Sequence, residues 1–235
     1  MEREIIFGPP GTGKTQTLLQ KVTDALKSGV KPDRIGYVSF SKRANVEAIE
    51  RAQTIEEFNL TEKDLPYFRT LHSLAVRILG IDPSTQLMKT ADYQEFAKWI
   101  GIINFNTETA VDETGMVISK NEYLNQINLA RYRGISIADQ YNRNEHQGKI
   151  NWFKLERIAK ALPEFKKQSH KYDFTDFIEI VVNKKISPVL DVLFVDEAQD
   201  LNWLQWQMVH LLEENSQKSY IAGDDDQAIY TFQGA

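Results

Sequence analysis

Short apolar runs alternate along the chain with segments in which apolar residues recur at helical spacing. The apolar run at residues 5–7 ends at Gly8, and apolar side chains then recur every three or four positions over residues 18–26. This pattern predicts a strand, a loop and a helix. A second strand is predicted at residues 35–40, with a helix after it over residues 44–52. A β-α-β-α start of this kind favours a parallel α/β sheet.

The same alternation resumes in the last part of the chain. Residues 192–195 form a continuous apolar run, a helix rich in Trp and Leu is predicted as far as Leu212, and residues 220–222 are predicted as another strand. Continuous apolar runs are typical of parallel strands that are covered on both faces. The predicted sheet is therefore built from both parts of the chain.

The middle of the chain has a different pattern. Helical spacing is found at residues 93–100, 123–132 and 152–162, with polar connections and no evident strand alternation. We predict a mostly helical subdomain inserted into the α/β core. The predicted division is core residues 1–89, inserted residues 90–170 and core residues 171–235.

Composition excludes several functional classes. The formal charge of −5 gives no global basic field, so any nucleic-acid contact must come from a local surface. The chain has no Cys, and its four His show no metal-ligand spacing, so we expect neither disulfides nor a structural metal. No signal-peptide pattern and no apolar run long enough for a bilayer are present, which leads us to expect a soluble, cytoplasmic protein without a membrane partner.

A phosphate-binding loop is the strongest motif. Residues 8–15, GPPGTGKT, fit the pattern G-x-x-x-x-G-K-[ST] between a predicted strand and a predicted helix. Backbone N–H groups and the helix N-terminus would bind phosphate oxygens, Lys14 would neutralise the β- and γ-phosphates, and the Thr15 hydroxyl would ligate Mg²⁺. A glycine-rich turn with a chance Lys-Thr pair is the alternative. The predicted ATP-binding residues are Gly8, Pro9, Pro10, Gly11, Thr12, Gly13, Lys14, Thr15 and Gln16.

An acidic segment, VDEAQD at residues 195–200, follows the late apolar strand. It would lie at the carboxyl edge of the sheet, where ligands of such folds bind. Asp196 is the candidate Mg²⁺ carboxylate, and Glu197 is the candidate to orient or deprotonate the attacking water. The alternative is a solvated acidic turn that caps the next helix.

Four further segments resemble motifs of the UvrD/Rep-like superfamily 1 DNA helicases, in that family's order. YVSFSKRAN at residues 37–45 resembles motif Ia, and FRTLHS at residues 68–73 resembles motif Ib. KYDFTDF at residues 171–177 is similar to the segment that re-enters the core, and GDDDQAIYTFQGA at residues 223–235 resembles motif III. The chain thus resembles the N-terminal, ATP-binding RecA-like domain of these helicases with its helical insertion.

This resemblance implies an ATP-dependent DNA helicase that binds single-stranded DNA. It implies that Gln227 senses the γ-phosphate and that aromatic residues stack on bases, although Phe40, Tyr230 and Phe232 could instead pack in a core. The implied catalytic residues are Lys14, Glu197 and Gln227. The implied DNA-binding residues are Phe40, Ser41, Arg43, Thr70, His72, Tyr230 and Phe232.

The sequence departs from the family pattern at three places. Only residues 1–7 precede Gly8, where the family carries an adenine-reading Gln segment. Gln16 and Gln233 stand where many members have Arg. The sequence given ends at Ala235, where the family continues into a second RecA-like domain, so we expect that domain as a partner in cis or trans and weak activity without it.

Two rival functions are set against the helicase. An AAA+ ATPase would share the phosphate loop, but it would have no reason to carry the other motifs. A short nucleotide- and DNA-binding module without helicase activity is the non-enzymatic alternative.

A track of basic residues across the insertion could extend the DNA contact. The alternative is that these residues are the cations that helix ends commonly carry. The residues of this track are Arg131, Arg133, Lys166, Lys167 and Lys171.

Overall fold

A computed structural model gives an α/β protein with a parallel sheet and an inserted, mostly helical subdomain, which confirms the predicted fold class. The structure describes residues 2–9, 11–39, 42–55, 58–103, 105–106, 108–111, 117–143, 145 and 148–224. Its strands are β1 (Glu2–Phe7), β2 (Ile35–Ser39), β3 (Phe68–Thr70), β4 (Thr109–Val111), β5 (Val117–Ser119), β6 (Leu190–Asp196) and β7 (Ser216–Gly223).

Helices make up most of the remaining described chain. Short 3₁₀ turns lie at Pro32–Arg34, Glu62–Asp64 and Ala198–Asp200. The α-helices are α1 (Lys14–Lys27), α2 (Lys42–Gln53), α3 (Leu71–Leu79), α4 (Pro83–Gln86), α5 (Thr90–Trp99), α6 (Glu122–Arg133), α7 (Ile137–Asn142), α8 (Trp152–Ser169), α9 (Phe174–Lys184) and α10 (Trp203–Glu214). Among the described residues, no helix has both the length and the apolar character needed to cross a membrane.

The main sheet has the strand order β1-β7-β6-β2-β3, and all its described pairings are parallel. The central strands β2 and β6 are buried almost throughout, as their continuous apolar runs predict. Alternate residues of β6 reach opposite faces: Val192 and Phe194 join one core cluster, and Leu193 and Val195 join another. The sheet is therefore covered on both sides.

Different helices supply those two clusters. On the first face, α1 packs through an apolar stripe that includes Leu18, Val22 and Leu26, together with apolar residues of α2. On the second face, α3, α9 and α10 pack through residues such as Leu74, Phe177 and Met208. Two pieces of chain that are remote in sequence thus enclose one sheet, which brings their loops to the same edge.

The inserted segment has an apolar cluster of its own, built by α5, α6 and α8 through residues such as Phe96, Leu124 and Leu155. The helices predicted there are all present. The pair of strands β4 and β5, which are antiparallel, was not predicted. Gly134 ends α6 with φ 64°, and a side chain at Gly134 would meet the Trp203 ring of α10 at 2.5 Å, so the insertion rests closely on the core. The boundaries at residues 90 and 170 stay a prediction.

A partly buried group of charges, here called the junction cluster, connects the insertion to α9. It comprises Arg131, Lys166, Asp173, Asp176 and Glu179. The Arg131 guanidinium contacts all three carboxylates at 2.6–2.9 Å. The Lys166 ammonium contacts Asp173 at 2.8 Å and Asp176 at 2.6 Å. Four of the five cations considered for a basic track are therefore engaged in ion pairs: Arg131 and Lys166 in this cluster, Arg133 with Glu145 at 2.8 Å, and Lys171 with Asp92 at 3.3 Å.

Candidate active site

The strands of the parallel sheet end at one edge, and the predicted nucleotide residues lie there. Gly8 follows β1, Asp196 is the last residue of β6, and Asp224 follows β7. The register places the ends of neighbouring strands side by side, with Phe7 opposite Gly223. The phosphate loop and the acidic strand end therefore meet at the carboxyl edge, where ligands of open α/β sheets bind.

Glycine conformation shapes the phosphate loop. Gly11 and Gly13 have φ of 80° and 83°, in the left-handed region that other residues rarely adopt. A side chain at Gly8 would meet the Thr12 hydroxyl at 2.5 Å. That hydroxyl donates to the Pro9 carbonyl oxygen at 2.8 Å, which closes the turn. The backbone conformation and the close packing of the loop therefore require glycine at these positions, whether or not a ligand is bound.

Lys14 is the first residue of α1, and its ammonium lies against the loop backbone. Its Nζ donates to the carbonyl oxygens of Gly8 and of Pro9, the latter at 3.1 Å. Lys14 is only 9% exposed. A cation and a helix N-terminus are therefore held at the same loop, a combination that suits phosphate.

Asp196 is almost completely buried and accepts hydrogen bonds from neutral groups. The phenol of Tyr37, which lies on the neighbouring strand β2, donates to its Oδ2 at 2.9 Å. The Thr15 hydroxyl and the Glu197 backbone N–H are its other donors. Burial raises the pKa of Asp196 above its ordinary value, and these hydrogen bonds only partly oppose that effect. The two predicted metal ligands, Thr15 and Asp196, are therefore in contact.

Glu197 adopts an unusual backbone conformation, with φ of 52°. Its carboxylate Oε2 accepts a hydrogen bond from Gln199 Nε2 at 2.7 Å, and Gln199 Oε1 accepts one from the Asp224 backbone N–H at 3.0 Å. The 3₁₀ turn at Ala198–Asp200 holds this arrangement. One amide thus connects the predicted catalytic carboxylate to the end of β7.

The donors that the structure brings into contact are the Asp196 carboxylate and the Thr15 hydroxyl. Within the described part of the chain, no three His, Cys, Asp or Glu residues are grouped closely enough to hold a metal by themselves, so the two donors suit an ion that takes its other ligands from phosphate and water. Mg²⁺ is a hard cation that takes a few protein oxygens together with phosphate and water. A divalent cation would also offset the burial that disfavours the charged form of Asp196.

Three residues predicted to contact DNA are described. Arg43 is exposed in the first turn of α2. Thr70 is 8% exposed, and its hydroxyl caps α3 by accepting from the Ser73 N–H at 3.4 Å. His72 is 3% exposed and meets the Phe174 ring edge-to-face at a centroid distance of 6.1 Å. Direct DNA contact by Thr70 and His72 stays a prediction, and the geometry gives both of them packing partners within the protein.

Of the remaining predicted residues, the structure describes Gln16. Its Oε1 accepts a hydrogen bond from Arg51 at 2.9 Å, so a guanidinium from α2 stands beside the first turn of α1 even though residue 16 is not Arg. The predicted residues outside the description are Pro10, Phe40, Ser41, Gln227, Tyr230 and Phe232.

The sequence was also compared with known protein families. Residues 2–235 match the family described as UvrD/REP helicase N-terminal domain. The chain belongs to the UvrD/Rep helicase family.

Relatives of this UvrD/Rep domain are named as helicases. The chain is 24% identical to ATP-dependent DNA helicase Rep of Buchnera aphidicola subsp. Baizongia pistaciae, over 98% of the chain and 35% of the relative. It is 27% identical to ATP-dependent DNA helicase PcrA of Leuconostoc citreum and 26% identical to PcrA of Staphylococcus aureus strain Mu50, in each case over 98% of the chain and 32% of the relative. The chain thus spans about a third of the length of these relatives.

The family match confirms the resemblance inferred from the motifs and leaves the AAA+ reading without support. Sequence reasoning missed Tyr37 and Gln199, which contact the acidic residues of the candidate site. Both residues lie inside motif-like segments, at residues 37–45 and 195–200, but no spacing rule assigns them a partner.

Proposed function

We propose that this chain is the ATP-binding half of a UvrD/Rep-type DNA helicase motor. It binds ATP with Mg²⁺ and single-stranded DNA. Together with a second RecA-like domain, in cis or in trans, it couples ATP hydrolysis to translocation and unwinding. The observation that carries this proposal is the meeting of the Lys14 loop with the Thr15–Asp196 contact at one sheet edge, in a chain of this family.

The phosphate loop and its lysine bind the nucleotide. Loop N–H groups and the N-terminus of α1 bind phosphate oxygens, and Lys14 exchanges its two carbonyl partners for the β- and γ-phosphates. Thr15 and Asp196 would hold Mg²⁺, and the bound ion would supply positive charge beside the phosphoryl group.

Glu197 and Gln227 act on the γ-phosphate side. Glu197 orients the attacking water and accepts its proton, and Gln227 senses the γ-phosphate. Phe40, Tyr230 and Phe232 stack on unpaired bases, while Arg43, Ser41, Thr70 and His72 contact the backbone.

Removal of Lys14 tests the nucleotide site. In Lys14→Ala, the affinity for Mg²⁺-ATP should fall by at least about tenfold, which corresponds to ~1.4 kcal/mol. Lys27→Ala is the matched control, because it removes the same charge from the exposed far end of the same helix. Calorimetric titration of both variants, with their melting temperatures compared with wild type, measures the effect. Equal affinities in Lys14→Ala and Lys27→Ala would sink the site assignment.

Binding of a fluorescent single-stranded oligonucleotide tests the DNA residues. Tyr230→Ala and Phe232→Ala should each weaken binding by about 1–3 kcal/mol, the usual worth of one stacked base. Arg43→Ala should weaken binding and reduce its salt dependence, whereas Lys27→Ala should change neither. If anisotropy shows the same affinity for all four variants at low salt, this edge is not the DNA surface.

Hydrolysis by the chain alone should be slow. An arginine finger aimed at the γ-phosphate is worth about 10³–10⁵ in rate in enzymes that use one, and the second RecA-like domain would supply it. The non-enzymatic alternative, a nucleotide- and DNA-binding module, predicts that adding such a domain changes nothing. A rise in DNA-stimulated turnover on its addition supports the motor.

A further inference from the structure

The Gln199 side chain bridges two elements of the site. Gln199 is 8% exposed and lies in the turn that follows β6. Its Nε2 donates to Glu197 Oε2 at 2.7 Å, and its Oε1 accepts from the Asp224 N–H at 3.0 Å. Asp224 is the residue immediately after β7, and it is itself buried.

We propose that Gln199 is a positioning residue that fixes the Glu197 carboxylate for hydrolysis and ties its position to the exit of β7. This inference rests on the proposed function. The β7 exit leads in sequence directly to residues 225–235, which contain Gln227, Tyr230 and Phe232. A displacement of the C-terminal end of β7 would therefore shift the Glu197 carboxylate through the Gln199 side-chain amide.

The orientation of the amide follows from its partners. A backbone N–H can only donate, so the Gln199 oxygen must face Asp224; an ionised carboxylate can only accept, so the Gln199 nitrogen must face Glu197. Glutamate would place a second negative charge against Glu197, and an apolar residue would lose both contacts. Among side chains of this length, only glutamine can donate to the Glu197 carboxylate and accept from the Asp224 N–H at the same time.

Close packing at Gly223 supports the same connection. A methyl group built on Gly223 would lie 3.4 Å from Gln199 Oε1 and 3.6 Å from the Gln199 backbone nitrogen. The last residue of β7 therefore runs in contact with the Gln199 turn. Glu197 also has the strained φ of 52°, so its backbone direction is determined by this turn and not by an ordinary strand extension.

Two substitutions separate positioning from mere structural support. Gln199→Leu removes both hydrogen bonds. Gln199→Glu keeps an acceptor for the Asp224 N–H but loses the donor to Glu197. Gln140→Leu is the control, because Gln140 is a fully buried amide in the insertion that is also bonded at both ends.

Single-turnover ATP hydrolysis, with the chain in excess over labelled ATP, is the main readout. Gln199→Leu and Gln199→Glu should both slow hydrolysis by about 10–100-fold, the usual cost of losing a residue that orients a ligand or catalytic group. Calorimetric affinity for Mg²⁺-ATP should change less than about twofold in either variant, because Gln199 faces Glu197 and not the loop. Gln140→Leu should hydrolyse ATP at the wild-type rate.

Hydrogen exchange of the Asp224 amide, followed by NMR, supplies the second readout. Exchange should accelerate in Gln199→Leu and stay near wild type in Gln199→Glu. A purely structural role predicts that Gln199→Glu, which retains the Asp224 bond, hydrolyses ATP like wild type, and that result would overturn the inference. If Glu197→Gln does not abolish ATP hydrolysis, both the proposed function and the inference about Gln199 are wrong. If Glu197→Gln abolishes it and Gln199→Leu turns over normally, the inference alone falls.

Discussion

Two buried groups of acidic residues in this protein differ in how their charge is balanced. In the junction cluster, Asp173 faces the cations Arg131 and Lys166 within 3 Å. At the sheet edge, Asp196 accepts hydrogen bonds from the neutral groups of Tyr37 and Thr15. The first group holds two cations against its three carboxylates, whereas the described hydrogen bonds to Asp196 all come from neutral groups.

The pKa shifts of Asp173 and Asp196 have opposite directions. Burial alone would raise the pKa of Asp173, but the charges of Arg131 and Lys166 outweigh it and hold that pKa well below its usual range. Burial raises the pKa of Asp196, and its hydrogen bonds do not reverse the shift. Burial and the neighbouring charge of Asp173 also raise the pKa of Asp176, so the direction of a pKa shift does not by itself distinguish the two groups. They differ in their partners, because the junction carboxylates face cations and Asp196 accepts hydrogen bonds from neutral groups.

The largest expected effect is on the junction cluster. Arg131→Met should destabilise the protein by about 3–5 kcal/mol, because it leaves three partly buried carboxylates with one cation. In a domain of this size that corresponds to a fall in Tm on the order of 10 °C. Thermal unfolding followed by circular dichroism measures it.

Lys160→Met is the matched control, since the Lys160 side chain is 75% exposed and its ion pair with Glu156 is a surface pair. It should cost less than about 1 kcal/mol. Equal Tm values for Arg131→Met and Lys160→Met would show that the junction cluster is not structural.

Acid should weaken the effect of Arg131→Met. The folded-state pKa of Asp173 lies below its unfolded value of about 3.9, so its contribution to stability is fully present above that pH and is lost as pH falls toward the folded pKa. The stability difference between wild type and Arg131→Met should therefore shrink below about pH 4. Urea unfolding at several pH values from neutral to acidic tests this, and a difference independent of pH would contradict the role given to Asp173.

The smallest expected effect concerns Asp196, where the substitution should raise the stability of the protein instead of lowering it. A raised folded-state pKa means that this group favours folding below its unfolded pKa and opposes folding once it ionises at higher pH. Asp196→Asn should therefore raise the Tm of the nucleotide-free protein at neutral pH by a few degrees, where ~2–4 °C corresponds to 1 kcal/mol. Differential scanning fluorimetry suffices, and a lower Tm would mean that the fold depends on the charge of Asp196.

The regular elements were predictable where pattern and length were sufficient. The stripe Leu18, Val22 and Leu26 defined α1, and the apolar run of β6 defined a buried strand. Strands β3, β4 and β5 have three residues each, too few for any alternation to show. Their existence depends on pairing with neighbours that the sequence does not name.

At the candidate site, the sequence pattern identifies the motif residues but not the contacts that support them. Glycines and Lys14 follow from the phosphate-loop pattern, and Asp196 follows from its place after an apolar strand. The Tyr37–Asp196 bond exists because β2 pairs with β6, and the Gln199–Asp224 bond exists because β7 lies beside β6. Strand order is a tertiary property, so no local pattern reveals these partners.

The Mg²⁺ dependence of ATP binding tests the central claim most directly. Calorimetric titration of ATP into wild type and Asp196→Asn, each with Mg²⁺ and with a chelator, gives four affinities. We predict that Mg²⁺ tightens binding to wild type by at least about tenfold, or ~1.4 kcal/mol, and that Asp196→Asn loses most of this gain while keeping its metal-free affinity. An unchanged Mg²⁺ gain in Asp196→Asn would contradict the assignment of this carboxylate and, with it, the contrast between the two acidic groups.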